Sequence, residues 1–173
     1  MVDENTEKKS APARGNRVAG KKVFITGAGQ GLGATFAKML AAEGASVTLS
    51  DVTAEAAEAQ AGKINRKYPG AAHAVALDVT QEAQWKDALR DAETKMGGIS
   101  VLINNAGIGT WGNIETETSE GWKKVHDINL NGVFMGTQAA MPYLKMSQPA
   151  SIITISSIAS MLADANSPAL DEL

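Results

Sequence analysis

The sequence predicts an α/β fold, a doubly wound parallel sheet with helices on both faces. Two observations predict it. Short β-branched runs alternate with amphipathic helical stretches along the chain, and the loops between them are brief. Strands joined through helices must run parallel, and a parallel sheet is covered on both faces. Right-handed crossovers then make the sheet doubly wound, with an expected strand order of 3-2-1-4-5.

Each element has its own signal. Lys22 to Thr26 reads as a buried first strand. Leu32, Phe36, Met39 and Leu40 recur at helical spacing and suggest the buried face of a helix that Gly44 closes. Ser46 to Ser50 is a second strand. Thr53 is placed to cap an Ala/Glu-rich helix reaching about Lys67, and Pro69-Gly70 ends that segment. Ala72 to Leu77 is a third strand. Trp85, Leu89, Ala92 and Met96 mark one face of the next helix, stopped by Gly97-Gly98. Val101 to Ile103 is a fourth strand. Residues 116–147 read as largely helical with a break near Asp127, and Ser151 to Ile155 is a fifth strand.

Composition narrows the function. The chain has 173 residues, 44% hydrophobic and 20% charged, with a mean hydropathy of -0.12, which suits one globular domain with a real core. A net charge of -3 carries no concentrated basic face for nucleic acid. No cysteine is present, which excludes disulfides and thiolate chemistry, and the two histidines, His73 and His126, make a poor metal site. Residues 1–16 are polar with mixed charge and read as a disordered tail; the domain is expected over 17–173. No secretory signal and no run long enough for a membrane span is found. The expected location is cytoplasmic.

The glycine loop after the first strand carries the chemistry. Thr26-Gly27-Ala28-Gly29-Gln30-Gly31-Leu32-Gly33 lies between a strand and a helix. A phosphate there meets unpaired N–H groups and the positive end of the helix dipole. Glycine lets the backbone approach a pyrophosphate without a Cβ in the way. Leu32 occupies the third glycine position of Gly-x-Gly-x-x-Gly, so the spacing is instead Thr-Gly-x-x-x-Gly-x-Gly. Asp51 directly follows the second strand, where a carboxylate accepts ribose hydroxyls and repels a 2′-phosphate. No Arg or Lys stands beside it and Gln30 is uncharged, which favours NAD(H) over NADP(H). Capping the next helix is the alternative role for Asp51, and the two can coexist.

These residues resemble the short-chain dehydrogenase/reductase family, with its Rossmann-like dinucleotide-binding fold. Four further motifs agree in order and spacing over residues 18–169. Asp78-Val79 matches the pair that lies against the adenine ring, with helix capping as the alternative for Asp78. Asn104-Asn105-Ala106-Gly107 matches the family's Asn-Asn-Ala-Gly at the cofactor site, where Asn side chains such as Asn105 bridge backbone groups of adjacent strands and the Ala106-Gly107 backbone passes near the nicotinamide ribose; a generic strand-to-loop turn is the alternative. In Asp127-Ile128-Asn129-Leu130-Asn131, Asn129 matches the active-site Asn, which bends its helix and holds a water of the proton relay; a structural helix Asn is the alternative. Ser157, the second of a Ser pair after the fifth strand, matches the substrate-orienting Ser. The resemblance implies hydride transfer between NAD(H) and a small-molecule secondary alcohol or ketone, and a homo-oligomer in the complete family member.

The resemblance also predicts a gap. The family uses a Tyr-x-x-x-Lys pair, the Lys lowering the Tyr pKa from about 10. In register from Ser157, the Tyr position holds Leu170, and the sequence runs on only through Asp171, Glu172 and Leu173. The expectation is a sheet incomplete at its C-terminal edge, a fifth strand left as an unpaired edge, marginal stability and a tendency to associate. The chain by itself is expected to bind NAD without turnover, with a non-enzymatic NAD-binding module or a non-functional product as alternatives.

Overall fold

The computed structural model describes residues 14–110 and 115–157. Within them the elements run β1 (Lys22–Thr26), α1 (Gly31–Ala42), β2 (Ser46–Asp51), α2 (Ala54–Lys67), β3 (Ala72–Ala76), α3 (Glu82–Met96), β4 (Val101–Asn104), α4 (Ser119–His126), a π-helical turn (Asp127–Asn131), α5 (Gly132–Met146) and β5 (Ser151–Thr154). One five-stranded sheet has the order β3-β2-β1-β4-β5, with every pairing parallel. The expected order and class both hold.

The period-2 alternation of strands sorts side chains between two cores. Val23, Ile25, Val47, Leu49, Val101 and Ile103 face α1 and α2. Phe24 and Leu102 face the other way, onto Trp85, Leu89 and Ala92 of α3 and Ala140 and Leu144 of α5. Adjacent residues of one strand are thus buried on opposite sides, which is why the strands are near-continuously apolar.

One expected helix face is corrected. α1 buries Gly33, Ala37 and Ala41, while Leu32 and Met39 are 60% and 57% exposed. Phe36 and Leu40 pack only partly against the core. Small residues four apart let this helix lie close on the sheet, and the large side chains are displaced to its flanks. Thr53 also does not cap α2 with its side chain. Asp51 does the local work, accepting the Thr53 N–H at 3.0 Å. The break near Asp127 is a π turn between two helices, α4 itself being capped by the Thr118 hydroxyl, which accepts the Gly121 N–H at 2.9 Å.

Most of the expected tail lies outside the described residues. Its last part is held: Arg14 donates to the Ala41 and Ala45 carbonyls at 2.9 and 2.7 Å, and the Gly15 N–H bonds to the Ala42 carbonyl. α1 has no basic residue in its own last turn, so Arg14 supplies the cation that its C-terminus favours. Among the described residues, no helix is long and apolar enough to cross a membrane, and no cluster of metal-binding side chains occurs.

Candidate functional site

The C-terminal ends of β1 and β4 are laced together beneath a cleft. The Thr26 hydroxyl accepts the N–H groups of Asn105 and Ala106 at 3.0 and 2.9 Å. The Asn105 amide donates back to the Thr26 and Gly27 carbonyls at 2.8 and 3.0 Å. Glycine is required at two points of this lacing. Gly27 has a φ of +61°, and a Cβ there would lie 2.8 Å from the Ala106 Cα. A Cβ on Gly33 would lie 2.4 Å from the Gly27 carbonyl oxygen and 2.6 Å from the Asn105 amide nitrogen. The first turn of α1 therefore presses directly against the loop that precedes it.

The cleft above has a volume of about 950 Å³, within the range of small-molecule and cofactor sites. Every cofactor position expected from the sequence borders it except Gly33, which is buried below as a spacer. α1 opens onto it without a side-chain cap, so its first-turn N–H groups, which have no intrahelical acceptor, are free for an anion. Gly31 borders the cleft with nothing within 4 Å of where a Cβ would stand. An uncapped helix end beside open space fits the phosphates of a dinucleotide.

Two carboxylates stand at the ends of β2 and β3. Asp51 accepts the Gly29 N–H at 2.9 Å through Oδ2 and the Thr53 N–H at 3.0 Å through Oδ1. A carboxylate has about four lone-pair directions, so acceptor capacity remains. Asp78 accepts the Thr80 N–H and hydroxyl at 2.9 and 2.7 Å through one oxygen, Oδ1. Asp78 thus closes a tight turn onto Thr80 and does not cap α3, whose N-cap position is Gln81. Val79 is held by its carbonyl, which accepts the Trp85 indole N–H at 3.0 Å.

Asn129 and Ser157 are placed differently. Asn129 sits in the π turn, a distortion frequent at functional sites. Its amide makes a reciprocal pair with Ile108, accepting the N–H at 2.9 Å and donating to the carbonyl at 2.8 Å. It thus fixes the loop after Gly107. Ser157 follows the end of β5 and is exposed; neither it nor Asn129 is among the residues lining the cleft.

The far wall was not anticipated. Glu120, Lys123 and Lys124 of α4 and Asp127 and Ile128 of the π turn line this part of the cleft. Lys123 pairs with Asp127, and its hydrogen bond, joined by one from Asn131, holds the Asp127 carboxyl below the usual range against the opposing effect of desolvation. No local motif marks Glu120, Lys123 or Lys124, whereas Ile128 lies within the Asp127–Asn131 stretch already singled out for Asn129. Val52, Thr80 and Ile108 also border the cleft. Each directly follows or lies two residues beyond a residue that was singled out, so extending those motifs would have found them.

Comparison with known proteins agrees with this geometry. Residues 21–169 match the short chain dehydrogenase family. The chain is 43% identical over 150 residues to 2,5-dichloro-2,5-cyclohexadiene-1,4-diol dehydrogenase LinX of Sphingobium indicum, covering 87% of this chain and 60% of the relative. It is 42% identical over 142 residues to a 3-alpha-(or 20-beta)-hydroxysteroid dehydrogenase of Mycobacterium tuberculosis, covering 82% of this chain and 53% of the relative. The chain therefore spans little more than half the length of these curated relatives. A crystal structure of 3-ketoacyl-(acyl-carrier-protein) reductase from Brucella melitensis, complexed with NADH, superposes with a TM-score of 0.77 at 35% identity, over 82% of this chain and 59% of that one. With its glycine loop, sheet order and strand-end residues arranged as described, the chain belongs to the short-chain dehydrogenase family.

Proposed function

We propose that the cleft holds NAD(H), and that the protein transfers hydride between NAD(H) and a secondary alcohol or ketone. The observation that carries the cofactor reading is Asp51 at the cleft wall, pinned by two backbone N–H groups with acceptor capacity to spare. A carboxylate held there accepts ribose hydroxyls and repels a 2′-phosphate. The neighbours Val52 and Gln30 bring no cation to it. Of the two lysines on the far wall, Lys123 is already engaged by Asp127. The NADH complex of the Brucella reductase supports the same choice, and the alcohol-oxidising names of the curated relatives support the substrate class.

Bound nicotinamide supplies the hydride acceptor or donor. In this reading the first turn of α1 holds the pyrophosphate, Asp78 and Val79 border the adenine, and Asn105 to Gly107 border the nicotinamide ribose. A proton must move with the hydride, and the tyrosines of this chain are badly placed to move it. Tyr68 is buried in the core beneath α1 and α2. Tyr143 packs on the core of the opposite face. Neither borders the cleft. The 173-residue chain by itself is therefore proposed to bind NAD(H) without turnover. A second copy is the proposed partner of the whole protein: Trp122, Leu130 and Phe134 are 60–63% exposed along α4, the π turn and α5.

Thermal melting with NADH, and with NADPH as control, tests the cofactor reading. A ligand at a hundredfold its Kd adds about 2.7 kcal/mol to stability. NADH is expected to raise the melting temperature well above NADPH at equal concentration. No shift with either refutes the reading, and equal shifts refute discrimination by Asp51. Steady NADH oxidation with a cyclic ketone would refute the proposed lack of turnover.

A further inference from the structure

We propose that Gln60 of α2 is a positioning residue for the dinucleotide site, acting on the glycine loop from outside the cleft. The inference rests on the NAD(H) reading above. Gly29 is gripped on both sides. Its N–H donates to Asp51 Oδ2 at 2.9 Å, and its carbonyl accepts the Gln60 side-chain amide at 3.2 Å. A Cβ on Gly29 would stand 2.8 Å from both Asp51 Oδ2 and the Ala56 Cβ, so the loop is also seated hard against the start of α2. Gln60 is half-buried and does not line the cleft.

The geometry of the peptide bond gives this grip a consequence. In a trans peptide the C=O and the following N–H point in opposite directions. Holding the Gly29 carbonyl on α2 turns the Gln30 N–H away from α2. Gln30 is the residue that precedes the first turn of α1 and itself borders the cleft. Its backbone is extended, with φ -155° and ψ -176°, so nothing helical fixes that peptide plane. The side-chain amide of Gln60 fixes it instead, while the carboxylate of Asp51 holds the preceding Ala28–Gly29 peptide. The phosphate-facing N–H groups are thus oriented before the ligand arrives, and preorganisation of this kind raises affinity by lowering the cost of ordering.

The role predicts a split between ligand fragments. Gln60 acts on the part of the loop that meets phosphate, so ADP binding depends on it and adenosine binding does not. The experiment compares the wild-type chain with Gln60→Leu, which removes the donor at similar size, and Gln60→Lys, which restores a donor. ADP and adenosine affinities are measured by calorimetry, and loop order by ¹⁵N relaxation of the Gln30 amide without ligand. Loss of one neutral hydrogen bond corresponds to about fivefold. Gln60→Leu should weaken ADP by about that factor, leave adenosine within about twofold and increase Gln30 amide mobility. Gln60→Lys should recover most of the ADP affinity. ADP affinity unchanged in Gln60→Leu, or equal losses for ADP and adenosine, would overturn the proposal. An unchanged Gln30 amide in ligand-free Gln60→Leu would overturn it as well. Because that last measurement needs no ligand, a wild-type chain that binds neither nucleotide would defeat the NAD(H) reading while the grip on the loop was still decided.

Discussion

β1 and β5 are both short apolar parallel strands of the same sheet, and their fates differ. In β1, Val23, Phe24 and Ile25 are all but fully buried. In β5 every residue is exposed, with Ile152 and Ile153 at 41% and 45%. The strands differ in neighbours more than in chemistry. β1 lies between β2 and β4 with helices on both faces, whereas β5 pairs only with β4, at the edge of the described sheet. Apolar character in a strand states what the residue needs, and the surrounding elements decide whether the need is met. The expected unpaired edge is thus observed among the described residues, and it leaves the site-bearing half of the sheet well packed: the glycine loop, Asp51 and Asn105 all hang from β1, β2 and β4.

The sharpest way to break this contrast is to disturb the packed half. Gly33→Val places a branched side chain where even a Cβ has no room. It should abolish the cooperative unfolding transition, seen by circular dichroism on heating, and a wild-type-like melt would show that α1 does not press on the loop as described. Next in size is a matched pair of truncations. Ile25→Ala should cost about 3 kcal/mol, in the range for buried isoleucine, and Ile153→Ala less than about 1 kcal/mol, because nearly half of that side chain already meets water. Urea unfolding of both variants checks this, and equal losses would mean that the β5 face is covered in solution.

Asp51→Asn probes the site itself. It keeps the shape but removes the charge that would repel a 2′-phosphate, and it weakens the bond to the Gly29 N–H. The ratio of NADH to NADPH affinity should fall on the order of tenfold, the equivalent of about 1.4 kcal/mol. An unchanged ratio would move discrimination elsewhere in the cleft, with Lys124 the first residue to examine.

The smallest effect concerns pH. His73 of β3 is half-buried, and burial, followed by the charge of Lys95, holds its imidazole below its ordinary value near 6.5, with Asp91 opposing. Below that value the unfolded chain takes up the proton before the folded one, so His73 contributes stability that is present above about pH 6.5 and lost as pH falls toward the lowered folded value. His73→Gln should flatten the decline in urea midpoint between pH 7 and 5, and an unaltered slope would remove His73 from the account.

Much of the site was legible because its residues are local. Thr26 to Gly33 form one continuous loop, and Asp51, Asp78 and Asn105 each stand at the end of a strand whose pattern is plain. A parallel sheet collects the ends of its strands on one edge, so once the order was inferred, these residues had to meet. The far wall was not legible. Glu120, Lys123 and Lys124 sit on a helix with no marked motif, and their approach to the cleft depends on how the π turn seats α4.

The sequence by itself therefore determined the fold class, the strand order, the glycine loop and its partners at the strand ends, because each follows from a local pattern or a chirality rule. Only the tertiary structure decided which face of α1 is buried, that Asp51 and Gln60 grip Gly29 from two sides, and that Asn129 holds the Ile108 backbone. Those outcomes depend on distances between segments far apart in the chain, as at Gly29, where a Cβ would stand 2.8 Å from both Asp51 and Ala56.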